Sequence, residues 1–166
     1  MADKPLWGDG AIEFGRWETP FENDTVWLVE LTWGGGTSWS DEERPQWTNR
    51  SLHKSPYDAV LVVLVTVHPP DQIRSDPAHD PLYRVSFDSV RAFRVLDEGG
   101  LPDFGYPDAQ GRLPPGTTFR VRNHTWSKES LLAFLWADDG WSYAITTGGD
   151  CIEVVAADPP VITLEA

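Results

Sequence analysis

The sequence predicts an α+β fold dominated by antiparallel β-sheet, with one or two short helices; a β-sandwich is the alternative arrangement. Three features carry this reading. Short runs alternate apolar and polar residues with a period of two, one longer run is continuously apolar and β-branched, and segments rich in Gly, Pro and Asp separate them. The 166 residues fit one domain, 1–166, and the 40% hydrophobic and 23% charged content belongs to a folded chain rather than a disordered one.

The first strand is expected over 25–33, where Trp27, Val29, Leu31 and Trp33 share one face and Leu28, Glu30 and Thr32 the other. That alternation makes Trp27 and Trp33 core candidates. Gly34, Gly35 and Gly36 end the strand, and 38–55 reads as a polar loop holding Trp39 and Trp47. The run 59–67 looks like a central strand covered on both faces, closed by Pro69 and Pro70.

Two strands follow in 82–96. Tyr83, Val85 and Phe87 alternate, the pattern slips at Asp88 and Ser89, and it resumes at Phe93 and Val95, which predicts a bulge or tight turn. The stretch 97–116 reads as a second long loop. Phe119 and Val121 oppose Thr118, Arg120 and Arg122 in a further strand. Ser127 can cap a helix over 128–137 with Leu131, Phe134 and Leu135 as its buried stripe. Three short strands close the chain at 141–146, 150–155 and 161–164, with Gly148, Gly149 and Asp150 forming a hairpin turn between the first two.

Acidic residues outnumber basic ones 26 to 13, a formal net charge of -13. Nucleic acid and anionic membrane surfaces are poor partners for such a chain, since both require clustered Lys and Arg. A basic protein partner suits it. The charge is uneven: beyond Lys128 there is no Lys or Arg, while Arg84, Arg91, Arg94, Arg112, Arg120 and Arg122 lie in the middle. Central strands facing acidic terminal segments would satisfy part of this asymmetry internally. The N-terminus lacks a charged-then-apolar leader and no apolar run reaches the ~20 residues of a membrane helix, so a cytoplasmic protein is expected.

The residues that carry catalysis form no recognisable constellation. Cys151, the one cysteine, sits in an apolar alternation and reads as a small core residue with no His placed as its base. His53, His68, His79 and His124 show no zinc spacing. His68, Asp71, Asp76, His79 and Asp80 crowd one loop, which reads as solvated surface; a metal-dependent enzyme built there is the reading set against it. The expectation is a protein that is not an enzyme and takes no metal or cofactor.

The nine tryptophans are the unusual feature of the composition. Trp39 and Trp47 flank Asp41, Glu42 and Glu43 in a loop, where aromatics can fill pockets on a partner and acids can pair with its Lys or Arg. The loops carrying Asp71, Asp76 and Asp80, and Asp97, Glu98, Asp103 and Asp108, complete the expected partner-binding set. Exposed Trp rings also suit a small-ligand or carbohydrate-binding β domain, the alternative function.

The stretch 87–98 (Phe-Asp-Ser-Val-Arg-Ala-Phe-Arg-Val-Leu-Asp-Glu), the later Trp-Ser-Tyr-Ala-Ile-Thr-Thr at 141–147, Cys-Ile-Glu-Val-Val-Ala at 151–156, and the exit at Pro159 and Pro160 together resemble small bacterial immunity-type domains that accompany polymorphic toxins. The resemblance covers about half the chain and rests on strand patterns. It implies an inhibitor that binds and neutralises a cognate toxin, such as a nuclease, with a basic surface.

Overall fold

A computed structural model describes residues 10–35, 59–68, 80–97, 110–135 and 137–165. Among the described residues, nine strands form two antiparallel sheets. The five-stranded sheet has the order β1 (Glu13–Arg16), β6 (Thr118–Arg122), β7 (Ser142–Thr146), β8 (Asp150–Ala156), β5 (Val90–Asp97). The four-stranded sheet has the order β2 (Thr25–Gly35), β3 (Ala59–His68), β4 (Leu82–Phe87), β9 (Val161–Leu164). Both expected arrangements meet here: two sheets pack face to face, and a helical layer of α1 (Thr125–Glu129) and α2 (Leu131–Phe134) is added.

Alternation builds the core between the sheets. Leu61, Val63, Val65 and Val67 project from β3, Val85 and Phe87 from β4, and Ile152, Val154 and Ala156 from β8. Burying each large side chain is worth about 1.5–3 kcal/mol. The chain passes between sheets at Asp88 and Ser89, where Ser89 adopts a left-handed φ of 53°. The slip in the sequence pattern is thus a turn that exchanges sheets. Pro159 and Pro160 lie on a later exchange, between β8 and β9. The segment joining β1 to β2 buries Phe21 and Trp17 and is tied to the start of β6: Thr117 N–H donates to the Glu22 carbonyl (2.8 Å), Thr117 Oγ1 to the Asp24 carbonyl (2.6 Å) and Thr118 Oγ1 to the Trp17 carbonyl (3.1 Å).

Four expectations change. β2 does not keep one phase, because the register with β3 shifts between Leu28 and Glu30. The bulged Val29 lets Leu28 oppose Val65, Leu31 oppose Val63 and Trp33 oppose Leu61, so Trp27 and Val29 leave the core side. Trp27 is 52% exposed and Trp33, at the rim of the core, 45%. β3 is buried on one face only; Val60, Val62 and Leu64 on the other are half-buried. The single helix is two short ones broken at Ser130 (φ -117°, ψ 47°), and its N-cap is His124 rather than Ser127, whose Oγ donates instead to the His124 carbonyl (2.8 Å). Of the expected stripe only Phe134 is buried; Leu131 and Leu135 are exposed and Leu132 is 80% so. β1, a strand the periodicity does not signal, adds itself to β6 through Glu13, which accepts from Arg122 Nη2 (2.9 Å).

Candidate functional site

β8 has two apolar faces, and the second lies under the helical layer. Cys151, Glu153 and Val155 point away from the intersheet core, Val155 toward the helical layer and Cys151 toward side chains of β1, β6 and β7. Val155 packs with Phe134 and Ala137, and Cys151 with Phe119, Val121 and Ala144. Glu153 sits between these groups, fully buried. A lone carboxylate in such a place would be very costly, so its partners decide its state.

Three polar side chains surround it, and Arg94 and Ser142 donate hydrogen bonds to it. Arg94 Nε on β5 lies 2.7 Å from Glu153 Oε2, and on the other oxygen Oε1 stand His124 Nε2 at 2.7 Å and Ser142 Oγ at 2.5 Å. The cross-strand register puts Arg94 and Ala144 directly opposite Glu153, the small alanine leaving room for the ring of partners. The Arg94 guanidinium lies 4.7 Å from the Trp126 ring centroid, and Trp126 and His124 both meet Phe134 edge-on. One buried carboxylate therefore ties β5, β7, β8 and the start of α1 together.

Ser, His, Glu and Cys lie within one small volume here, but their geometry is that of a structural centre. Ser142 and His124 face the same carboxylate oxygen instead of each other, so the hydroxyl has no imidazole base. Burial, aided by the Glu153 charge, pushes the Cys151 thiol up to about 12, which keeps it protonated and unreactive at neutral pH. The expected reading of Cys151 as a core residue holds. A cleft of about 240 Å³ lined by Arg16, Glu22, Asn23, Pro115, Gly116 and Thr118 is smaller than the ~300–1,000 Å³ of typical ligand pockets.

The positive charge of the central strands is drawn into pairs, as the charge asymmetry anticipates. Arg84 meets Glu165 at 2.7 Å, Arg120 meets Asp138 at 3.0 Å, and Arg122 meets Asp139 at 2.7 Å as well as Glu13. Trp141 lies under both guanidiniums, 5.5 Å from Arg120 and 4.6 Å from Arg122.

Of the expected partner-binding residues, Asp80 and Asp97 fall among the described residues. Trp39, Asp41, Glu42, Glu43, Trp47, Asp71, Asp76, Glu98, Asp103 and Asp108 lie outside them. Asp80 has a largely buried carboxylate 3.5 Å from His68 Nδ1, so its position is more structural than a solvated loop suggests. Asp97 is exposed at the end of β5, directly opposite Asp150 in the ladder with β8. Both acids lie at the end of the sandwich where β2 begins: His68 opposes Thr25, and the Gly148 N–H, two residues before Asp150, donates to the Val26 carbonyl (3.0 Å). Among the described residues no three His, Cys, Asp or Glu side chains cluster so as to hold a metal ion, and no helix is long and apolar enough to cross a membrane.

Half-exposed aromatic side chains on an edge strand are the feature that sequence reasoning placed in the core. Trp27 lies over the β7–β8 turn, so close that a Cβ at Gly148 would meet its ring at 2.4 Å, and Trp33 packs on Phe93 with centroids 5.1 Å apart. The bulge that exposes them has no marker in the residues around Val29. Comparison with protein-family models, with curated proteins and with solved structures finds no match.

Proposed function

We propose that the chain is a non-catalytic binding protein that neutralises a basic protein partner, acting as an immunity protein toward a cognate bacterial toxin. The observation that carries this reading is the disposition of charge. Arg16, Arg84, Arg94, Arg120 and Arg122 each face a carboxylate within 3.0 Å, so their charge is locally compensated, while the whole chain retains a net charge of -13. The field outside the protein is therefore negative, and it steers and orients a basic surface. The burial of Ser142, His124, Glu153 and Cys151 around one another supports a structural use of the residues that could do chemistry.

Growth rescue tests the reading. Bacteria expressing a toxin domain encoded beside this chain's gene are expected to recover when the chain is co-expressed, with a stable complex on purification. Undiminished toxicity and no complex, across the adjoining candidates, would sink it. A second reading, carbohydrate binding, draws on the half-exposed Trp27 and Trp33, whose ring faces could stack on sugars. It predicts a tryptophan fluorescence shift on titration with soluble glycans.

A further inference from the structure

The helical layer is apolar on both of its sides. Its underside is Phe134, fully buried against Val155. Its outer side is leucine: Leu131 is 43% exposed, Leu132 80% and Leu135 47%. We infer that this outer side is a self-association surface, on which a second copy of the chain docks about a two-fold axis. The inference goes beyond the proposed binding function and does not depend on it.

The first observation is the shape of the patch. The Leu135 N–H donates to the Leu131 carbonyl (2.9 Å), which carries the helical turn through Leu135. Residues at i, i+1 and i+4 of such a turn lie within about 100° of its circumference. The three leucines therefore form one contiguous patch, whereas exposed apolar residues of no consequence are scattered singly. The patch is also held from beneath. Phe134 is met edge-on by Trp126 and His124, and Trp126 lies under the Arg94 guanidinium that the buried Glu153 anchors. Side chains on a backbone already fixed cost little further ordering on association.

The second is charge, and it selects the occupant. A net charge of -13 makes two copies of the chain repel, so they can meet only where charge is locally balanced. Around the helical layer it is balanced. Arg94 meets Glu153, and Asp138 and Asp139, which follow α2, meet Arg120 and Arg122. Charges farther off than ~8 Å are largely screened at physiological salt.

Lys128 and Glu129 complete the pattern. Ser130 alone separates them from the leucines, both are exposed, and neither makes an ion pair among the described residues. Neighbouring residues of opposite charge are self-complementary. In a two-fold contact, whatever one copy offers at the first position the other receives at the second, so Lys128 of each copy meets Glu129 of the other. A basic partner gains nothing from a locally neutral patch, and a purely apolar partner leaves this pair unmatched. Three leucines a side make an interface well below the ~1,200 Å² of a stable complex, so the dimer is a weak, exchanging one.

Sedimentation equilibrium of the full chain tests the assignment. Between about 5 and 500 µM the average mass should rise from that of one chain toward that of two, with a dissociation constant of about 100 µM. Backbone amide shifts on dilution should concentrate in 128–135. Leu132→Glu should weaken the dimer about tenfold or more with an unchanged circular dichroism spectrum. Lys128→Glu and Glu129→Lys should each weaken it about threefold, and the double variant carrying both should return to within about twofold of the wild type. Glu129→Lys makes the chain less acidic, so an association governed by overall repulsion alone would tighten instead. A single-chain mass at every concentration, shifts elsewhere, or an unchanged constant for Leu132→Glu would each overturn the surface. So would tightening by Glu129→Lys, or a double variant as weak as the single ones.

Discussion

Glu153 shows how a single residue is made affordable in a core. It accepts from Arg94 Nε and Ser142 Oγ, one on each oxygen, with His124 Nε2 2.7 Å away, while the surrounding apolar groups exclude water. Glu153→Gln leaves Arg94 facing a neutral group and should cost about 3–5 kcal/mol, read as a lower urea midpoint. A loss below about 1 kcal/mol would mean that the pair is not holding the helical layer. Cys151, its neighbour two residues back, is uncharged in the fold and titrates at about 12 instead of near 9. A raised folded pKa means that the group's stabilisation is complete below about pH 9 and is lost as pH rises toward 12. Between pH 9 and 10 the wild type should therefore lose stability more steeply than Cys151→Ala, and a thiol reagent at pH 8 should label the protein only after unfolding. Rapid labelling of the native protein would contradict the burial.

At the scale of elements, the strands that alternate cleanly were legible and the irregular ones were not. β4, β5, β6, β7, β8 and β9 follow the pattern read from the residues, because inward and outward positions differ in chemistry, whereas the uniformly apolar β3 gave no sign that only one of its faces is buried. β1 is only Glu-Phe-Gly-Arg, too short for a period, and exists because Arg122 and Asn123 reach across to Glu13. In β8 the alternation was visible, but not that both faces are covered, since only the folded chain brings Phe134 over Val155. The helix stripe failed for the related reason that a break at Ser130 resets the angle at which each leucine leaves the axis. Phe134→Ala should accordingly cost about 3–5 kcal/mol and loosen the helical layer, whereas Leu132→Glu should change stability by less than about 0.5 kcal/mol. The turns divide in the same way. A Cβ at Gly116 would stand 2.4 Å from the Glu22 carbonyl oxygen, so Gly116→Ala should cost roughly 1–3 kcal/mol, while Gly149→Ala meets nothing within 4 Å and should be near neutral. Chemical denaturation of the four variants checks both pairs.

For the whole molecule, the acidic excess that stood out as one number separates into two populations. Glu13, Asp138, Asp139, Glu153 and Glu165 compensate the central arginines, as the uneven charge along the chain suggested. Glu30, by contrast, is exposed on β2 beside the half-exposed indoles, and Asp150 follows the Gly148 turn that Trp27 covers. The binding residues expected from composition fall mainly outside the described residues. The aromatic-and-acid combination that motivated them recurs on β2, where alternation had assigned Trp27 and Trp33 to the core. In the proposed function, a negative field steers a basic protein onto this chain. The most direct measurement is the association rate of the purified chain with the proposed toxin partner as salt is raised from about 50 to 500 mM. Charge-steered binding predicts a rate that falls roughly tenfold or more across that range, with dissociation changing far less. An association rate that stays flat would contradict it.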